Sequence, residues 1–181
     1  MAATDAVKPG LLTRLSFGIG GAADGIKNNG FDYALLFFYS NILGVDAGLV
    51  GVALMIALAF DAVSDPVVGY WSDNLRTRFG RRHPFIYAAL IPTAVVYFLT
   101  GNPPAGLSAN ELFPWLVFTT IGVRLAFTFY EVPSSALAAE LTQDYDERTS
   151  LMSLRYFFAW FGGLTIQILL FWFLLVPTPD I

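Results

Sequence analysis

The stretch from Tyr156 to Val176 carries no charged side chain, and at about 20 residues it is as long as a helix must be to cross the hydrocarbon core of a bilayer. Three further stretches, 47–72, 84–100 and 112–139, are apolar over similar lengths and are separated by turn and charge signals. A fifth, 17–43, is less uniform. Its clean apolar part, Tyr33–Tyr39, is too short to cross a bilayer, so it spans only if Phe17–Asp32 belongs to it. There Asp24, Asn28 and Asp32 recur at a spacing of four with Lys27 beside them, which makes one polar stripe, while Gly18, Gly20, Gly21 and Gly25 permit close helix packing. The pattern predicts an all-α integral membrane protein of five transmembrane helices, the first of them amphipathic with one face to water.

Composition agrees with this setting: 13% of residues are charged, against roughly 25% in ordinary soluble domains, and the mean hydropathy is +0.61. A formal charge of −4 gives no reason to expect a nucleic-acid partner. The absence of cysteine removes disulfides, thiolate catalysis and cysteine-based metal sites. Met1 to Lys8 lack the order of a cleavable signal peptide, so the first helix is expected to act as its own insertion signal. Lys8, Arg14, Arg76, Arg78, Arg81, Arg82, Arg148 and Arg155 fall on one side of the five spans, whereas Asn41–Asp46, Gly101–Glu111 and Pro177–Ile181 contain no Lys or Arg. The asymmetry predicts a multi-pass protein of the cell (inner) membrane, with its amino terminus cytoplasmic and the carboxyl terminus of this chain external.

Asp61 and Asp65 lie inside the second span. An ionised side chain at mid-membrane costs roughly 2.5–3.5 kcal/mol even on the lenient insertion scale, so such residues face a wet cavity, a cation or a partner charge. Asp61, Ser64 and Asp65 share one helical face, and hard oxygen ligands at that spacing wrap a small cation. Pro66 disfavours helical geometry at Asp65 and is expected to free carbonyl oxygens nearby. The alternative is structural, with the carboxylates pairing with Lys27 or Arg124 to hold helices together. Arg124 lies on the face of Thr128 and Glu131. It has three open readings: a partner of the helix-two carboxylates, a binder of an anionic substrate group, or an arginine snorkelling to the outer interface.

The loop after the second span reads Gly69-Tyr-Trp-Ser-Asp73-Asn-Leu-Arg76-Thr-Arg78-Phe-Gly80-Arg81-Arg82. Arginines at a helix carboxyl end suit its macrodipole, and Asp73 can pair with one of them. Gly69 and Asp73 at spacing four, then Gly80 ahead of two arginines, go beyond a topology anchor. That order resembles the signature loop of the major facilitator superfamily, and the Arg-Thr-Arg-Phe-Gly form is similar to its glycoside–pentoside–hexuronide:cation symporter branch, typified by melibiose permeases. Phe37-Phe-Tyr-Ser-Asn-Ile-Leu-Gly44, Tyr130-Glu-Val-Pro133 and Asp144-Tyr-Asp-Glu-Arg-Thr149 through Arg155 resemble the same branch, so the likeness runs from about Gly20 to Gly163.

This resemblance implies a cation-coupled symporter of a sugar, glycoside or related solute. It assigns the coupling ion, sodium or a proton, to Asp61 and Asp65, with Ser64 standing where an Asn is usual and Thr128 completing the set. Sodium, if it is the ion, is the one metal implied, and no other cofactor is. Glu131, Asp24 and Arg155 correspond to sugar-binding positions, with Asn28 and Arg124 as further candidates. Gly69, Asp73, Arg76, Arg78, Gly80, Arg81 and Arg82 correspond to the conformational-switch loop.

The stacking tryptophan of melibiose permeases falls at Ser135, which opens the alternative of a lysolipid or other amphiphile as substrate. An integral membrane enzyme using Asp61 and Asp65 is the alternative from another class; no Gly-Lys-Ser loop, His-Glu-x-x-His pair or nucleophile elbow accompanies them. Family members have twelve helices in two halves. The resemblance therefore implies an N-terminal fragment, with a missing carboxyl-terminal half, the bilayer and a small solute as partners.

Overall fold

The structure, a computed structural model, describes residues 9–174. The expectations for Lys8, for the last two residues of the fifth span and for the tail Pro177–Ile181 lie outside them. Six helices follow in order: α1 (Leu11–Phe37), which runs on as a π-helical turn (Phe38–Ile42); α2 (Ala47–Asn74); α3 (His83–Gly101); α4 (Ala109–Ala136); a one-turn α5 (Ala138–Leu141); and α6 (Tyr145–Leu174). The chain is an all-α membrane protein. Four segments, Ala47–Asn74, His83–Gly101, Asn110–Leu141 and Tyr145–Trp172, are long and apolar enough to cross a membrane. Large apolar side chains on them, among them Val63, Ile91, Phe118 and Trp172, are mostly exposed, as an exterior solvated by lipid requires. Helix α1 is long enough but carries Arg14, Asp24, Lys27 and Asp32.

The helices fall into two compact units, one of residues 9–34 with 138–174, the other Leu35–Leu137. In the first, α1 packs against α6 through small residues. A Cβ at Gly21 would overlap the Arg155 carbonyl, and one at Gly25 the Ala159 carbonyl, so the two backbones meet where only hydrogen leaves room. Arg14 Nη2 donates to Ser150 Oγ at 2.5 Å, and its Nη1 lies 3.7 Å from Glu147 Oε2. This contact explains why α1 starts at Leu11, six residues before the apolar reading placed it: Arg14 interrupts the apolar pattern but has its partners on α6.

Helix α6 likewise starts at Tyr145, where the hydropathy reading began only at Tyr156. Asp146 and Glu147 occupy its first turn, and Asp144 Oδ1 accepts from the Glu147 amide at 2.9 Å, so these charges cap a helix and do not mark a loop. Arg155, counted from sequence among the loop arginines of the topology rule, consequently sits inside α6.

In the second unit α4 packs against both α2 and α3. Asp46 caps α2, its Oδ1 accepting from Gly48 N at 2.9 Å and Leu49 N at 3.2 Å. The preceding π turn closes with Leu43 N donating to Phe38 O and Val45 N to Tyr39 O around Gly44, whose φ of 73° suits a residue without Cβ. Tyr39 is fully buried there, and its hydroxyl donates to the Thr100 carbonyl at 2.9 Å, tying the turn to the end of α3. Trp71, Phe85 and Phe129 join α2, α3 and α4 in one aromatic cluster, with centroids 5.5–6.2 Å apart. Helix α2 runs unbroken through Pro66, so Asp65 keeps helical geometry, contrary to the sequence expectation. A spanning helix tolerates proline because only the N–H facing the carbonyl of Ala62 is lost and the neighbouring bonds hold.

Candidate functional site

Within the second unit, α2 and α4 bring Asp61, Ser64, Asp65, Arg124 and Thr128 together. The three α2 residues lie on one face by helical spacing, and Thr128 follows Arg124 by one turn on α4. Thr128 Oγ1 lies 3.1 Å from Asp65 Oδ1, 3.4 Å from Asp61 Oδ1, 3.4 Å from Ser64 Oγ and 3.0 Å from the Arg124 carbonyl. A hydroxyl has one proton, so it donates to one of these oxygens at a time and presents its lone pairs to the others. The result is a part-buried cluster of hard oxygens, from two carboxylates and two hydroxyls, between α2 and α4. Among the described residues no group of three or more His, Asp or Glu side chains gathers as a resident metal site would require. Two carboxylates with two hydroxyls suit a hard, weakly held cation.

Arg124 completes this cluster. Its Nη1 donates to Asp61 Oδ2 at 2.6 Å, with side-chain exposures of 8% for Arg124 and 14% for Asp61. The pairing with a helix-two carboxylate, one of the three sequence readings of Arg124, is present, and a side chain this buried is not snorkelling. Asp65 is exposed, whereas Thr128 is buried.

The loop between α2 and α3 is built around a second charge pair. Arg82 Nη2 donates to Asp73 Oδ1 at 2.8 Å, with the arginine buried and the carboxylate half exposed. Between them Thr77 Oγ1 donates to the Gly80 carbonyl at 2.6 Å and accepts from Phe79 N, and Gly80 turns the chain at a φ of 91°. Arg78 stacks over Phe79 at 4.6 Å. Arg76 and Arg81 are both exposed. Gly69 lies beside Val132 of α4, where a Cβ would make ordinary contact at 3.5 Å.

In the first unit Arg155 Nη2 donates to Asp24 Oδ2 at 2.7 Å, and the guanidinium lies 5.3 Å from the centre of the Phe17 ring. Arg155 is buried and Asp24 largely so, at 5% and 14% side-chain exposure. Gly21 makes this pair attainable by letting α6 approach. Asn28 of the same polar stripe is exposed. Glu131 belongs to the second unit, on α4, and is half-buried. No local pattern signals the Tyr39–Thr100 or Arg14–Ser150 contacts, since each partner is unremarkable in its own stretch and the pairs are 61 and 136 residues apart.

A bundle of membrane-length helices with charged and hydroxyl side chains gathered between them is the build of a membrane transport protein. Residues 16–179 match the profile of the family described as MFS/sugar transport protein. The chain belongs to that family, within the glycoside–pentoside–hexuronide:cation symporter branch of the major facilitator superfamily. Among its relatives, an uncharacterized symporter of Synechocystis is 36% identical over 93% of this chain and 32% of its own length. The inner membrane symporter YicJ of Escherichia coli is 32% identical over 87% of this chain and 34% of its own. The sodium-dependent lysophosphatidylcholine symporter 1-A of Danio rerio is 31% identical over 86% of this chain and 30% of its own. The chain thus spans about a third of the length of these relatives.

Proposed function

We propose that this chain forms the cation-binding part of the amino-terminal bundle of a symporter that couples uptake of a sugar or glycoside to a monovalent cation, sodium or a proton. The observation that carries the reading is the oxygen cluster: Thr128 reaches across from α4 to within 3.4 Å of Asp61 Oδ1, Ser64 Oγ and Asp65 Oδ1. Intramembrane carboxylates are retained where a cation needs them, and the family description names transport and not catalysis. Asp61, Ser64, Asp65 and Thr128 are the proposed cation ligands.

On the substrate side, the reading assigns Asp24, Arg155 and Glu131, with Asn28 as a further candidate. A carboxylate accepts from sugar hydroxyls and an arginine donates to them, and Asp24 and Arg155 offer both chemistries at one point of the first unit. Asp73, Arg82 and the loop between them, with Gly69, Arg76, Arg78, Gly80 and Arg81, serve as the switch segment. The lysine and arginine asymmetry supports an inner-membrane protein with a cytoplasmic amino terminus. Because the relatives are about three times as long, the complete transport cycle is assigned to a protein that continues into a second half.

The test is substrate binding by the full transporter in detergent, titrated with sodium and with pH. Asp65→Asn removes one charge and nearly preserves shape, so cation stimulation is expected to vanish while the protein remains folded; stimulation at the wild-type level would overturn the assignment. A lysolipid substrate is the second reading, favoured by the zebrafish relative's name and by Ser135 in place of a stacking aromatic ring. Competition by a glycoside panel against lysophosphatidylcholine decides between the two.

A further inference from the structure

Helix α2 has 28 residues and therefore a length of about 42 Å, against roughly 30 Å for the hydrocarbon core of a bilayer, so it reaches beyond the acyl chains. Tyr70 and Trp71 near its carboxyl end and Tyr87, one turn into α3, are mostly exposed. Rings of these types mark the boundary between acyl chains and headgroups, which sets the loop between the two helices at headgroup level. That loop is held in shape from within. Thr77 Oγ1 donates to the Gly80 carbonyl at 2.6 Å, Gly80 N donates to the Thr77 carbonyl at 3.1 Å, and Arg82 holds Asp73 at 2.8 Å. The turn presents Arg76 and Arg78, both exposed, and Phe79, which is 61% exposed. Arg78 lies over the Phe79 ring at 4.6 Å, so charge and ring are offered as one unit.

We propose that this loop is a docking site for an anionic phospholipid of the adjoining leaflet: Arg76 and Arg78 take the headgroup phosphate, and Phe79, with Tyr70 and Tyr87 behind it, lies against the glycerol and upper acyl chain. A guanidinium stays charged and donates two parallel N–H bonds to phosphate oxygens. A zwitterionic lipid offers the same phosphate but carries a cation that the arginines repel, so the site selects negative headgroups. A loop that only fixed topology would need its arginines and not a phenylalanine at its tip, whose exposed apolar area is unfavourable unless the bilayer covers it. Lipid docking here is independent of the cation site between α2 and α4.

The experiment is native mass spectrometry of the full transporter in detergent, titrated separately with dioleoylphosphatidylglycerol, dioleoylphosphatidylcholine and inorganic phosphate. The affinity for the first bound lipid is compared among wild type, Arg76→Gln, Arg78→Gln, the double variant, Phe79→Ser and Arg148→Gln, the last replacing an exposed arginine of the other unit. An arginine near a charged surface contributes about fivefold to affinity. Wild type is therefore expected to prefer phosphatidylglycerol at least tenfold, each single arginine variant to lose about fivefold of that preference, and the double variant to retain less than threefold. Phe79→Ser should weaken both lipids by similar factors, and Arg148→Gln should match wild type. The single variants keep the assignment testable if the double variant fails to fold.

A preference unchanged in folded arginine variants, or one lost equally in Arg148→Gln, would overturn the site. Inorganic phosphate bound by the wild type as tightly as phosphatidylglycerol would overturn the lipid as its occupant.

Discussion

Asp24→Asn tests whether the ion pair of the first unit holds α1 to α6. The wild-type pair is separated by 2.7 Å between Arg155 Nη2 and Asp24 Oδ2, with side-chain exposures of 5% and 14%. With charge centres roughly 4 Å apart and an effective dielectric constant of about 20, the attraction is about 4 kcal/mol. Removing one partner of a buried pair leaves the other charge desolvated, a loss of about 3–5 kcal/mol. Asparagine keeps one carbonyl acceptor for the guanidinium, which places the expected loss near the lower end, about 3 kcal/mol. For a chain of this size that corresponds to a fall in Tm of roughly 6–12 °C. Intrinsic tryptophan fluorescence during heating in detergent measures it, since the chain has four tryptophans and no cysteine for thiol-reactive dyes. The double variant Asp24→Asn/Arg155→Gln removes the stranded charge and is expected to recover more than half of the loss. A Tm for Asp24→Asn within a degree of wild type would refute the reasoning, as would a double variant no more stable than the single.

Gly25→Val places methyl groups on the Ala159 carbonyl and should abolish folded yield or lower stability by more than about 2 kcal/mol; Gly51→Ala, where an added Cβ meets nothing within 4 Å, should be neutral or stabilising by up to about 1 kcal/mol. Both are read by size-exclusion profile and thermal melt, and equal behaviour of the two variants would contradict the close-approach account. Asp73→Asn removes the half-exposed partner of Arg82, so the stability change should stay near 1 kcal/mol, while uptake by the full transporter falls several-fold; unaltered uptake would count against a switch role for this loop.

Hydropathy and length determined the all-α membrane architecture, because a bilayer admits few structures and a helix must present about 20 apolar residues to cross it. The helical face carrying Asp61, Ser64 and Asp65 was also legible, since it follows from spacing along a single helix. Ranges were legible where isolated charges sat inside a long apolar run, as in α2 and α4, and were lost where charges crowded a helix end. Arg14 and the segment from Asp146 to Arg155 read as loop or flank because local hydropathy scores a charge by its type and not by its partner; Arg14 meets Ser150 and Arg155 meets Asp24 across α1 and α6. Those partners are 136 and 131 residues distant in sequence, and Arg124 and Asp61 are 63 apart. Sequence left three readings of Arg124 open because spacing along α4 fixes its direction from that helix but not what α2 sets opposite it. Packing of α2 against α4 decided that it meets Asp61, and the absence of a side chain at Gly21 and Gly25 decided how near α6 comes to α1. Local chemistry thus determined which helices form and which faces are polar, while the pairing of buried charges depended on tertiary contact, because the interaction that offsets their desolvation comes from a different helix.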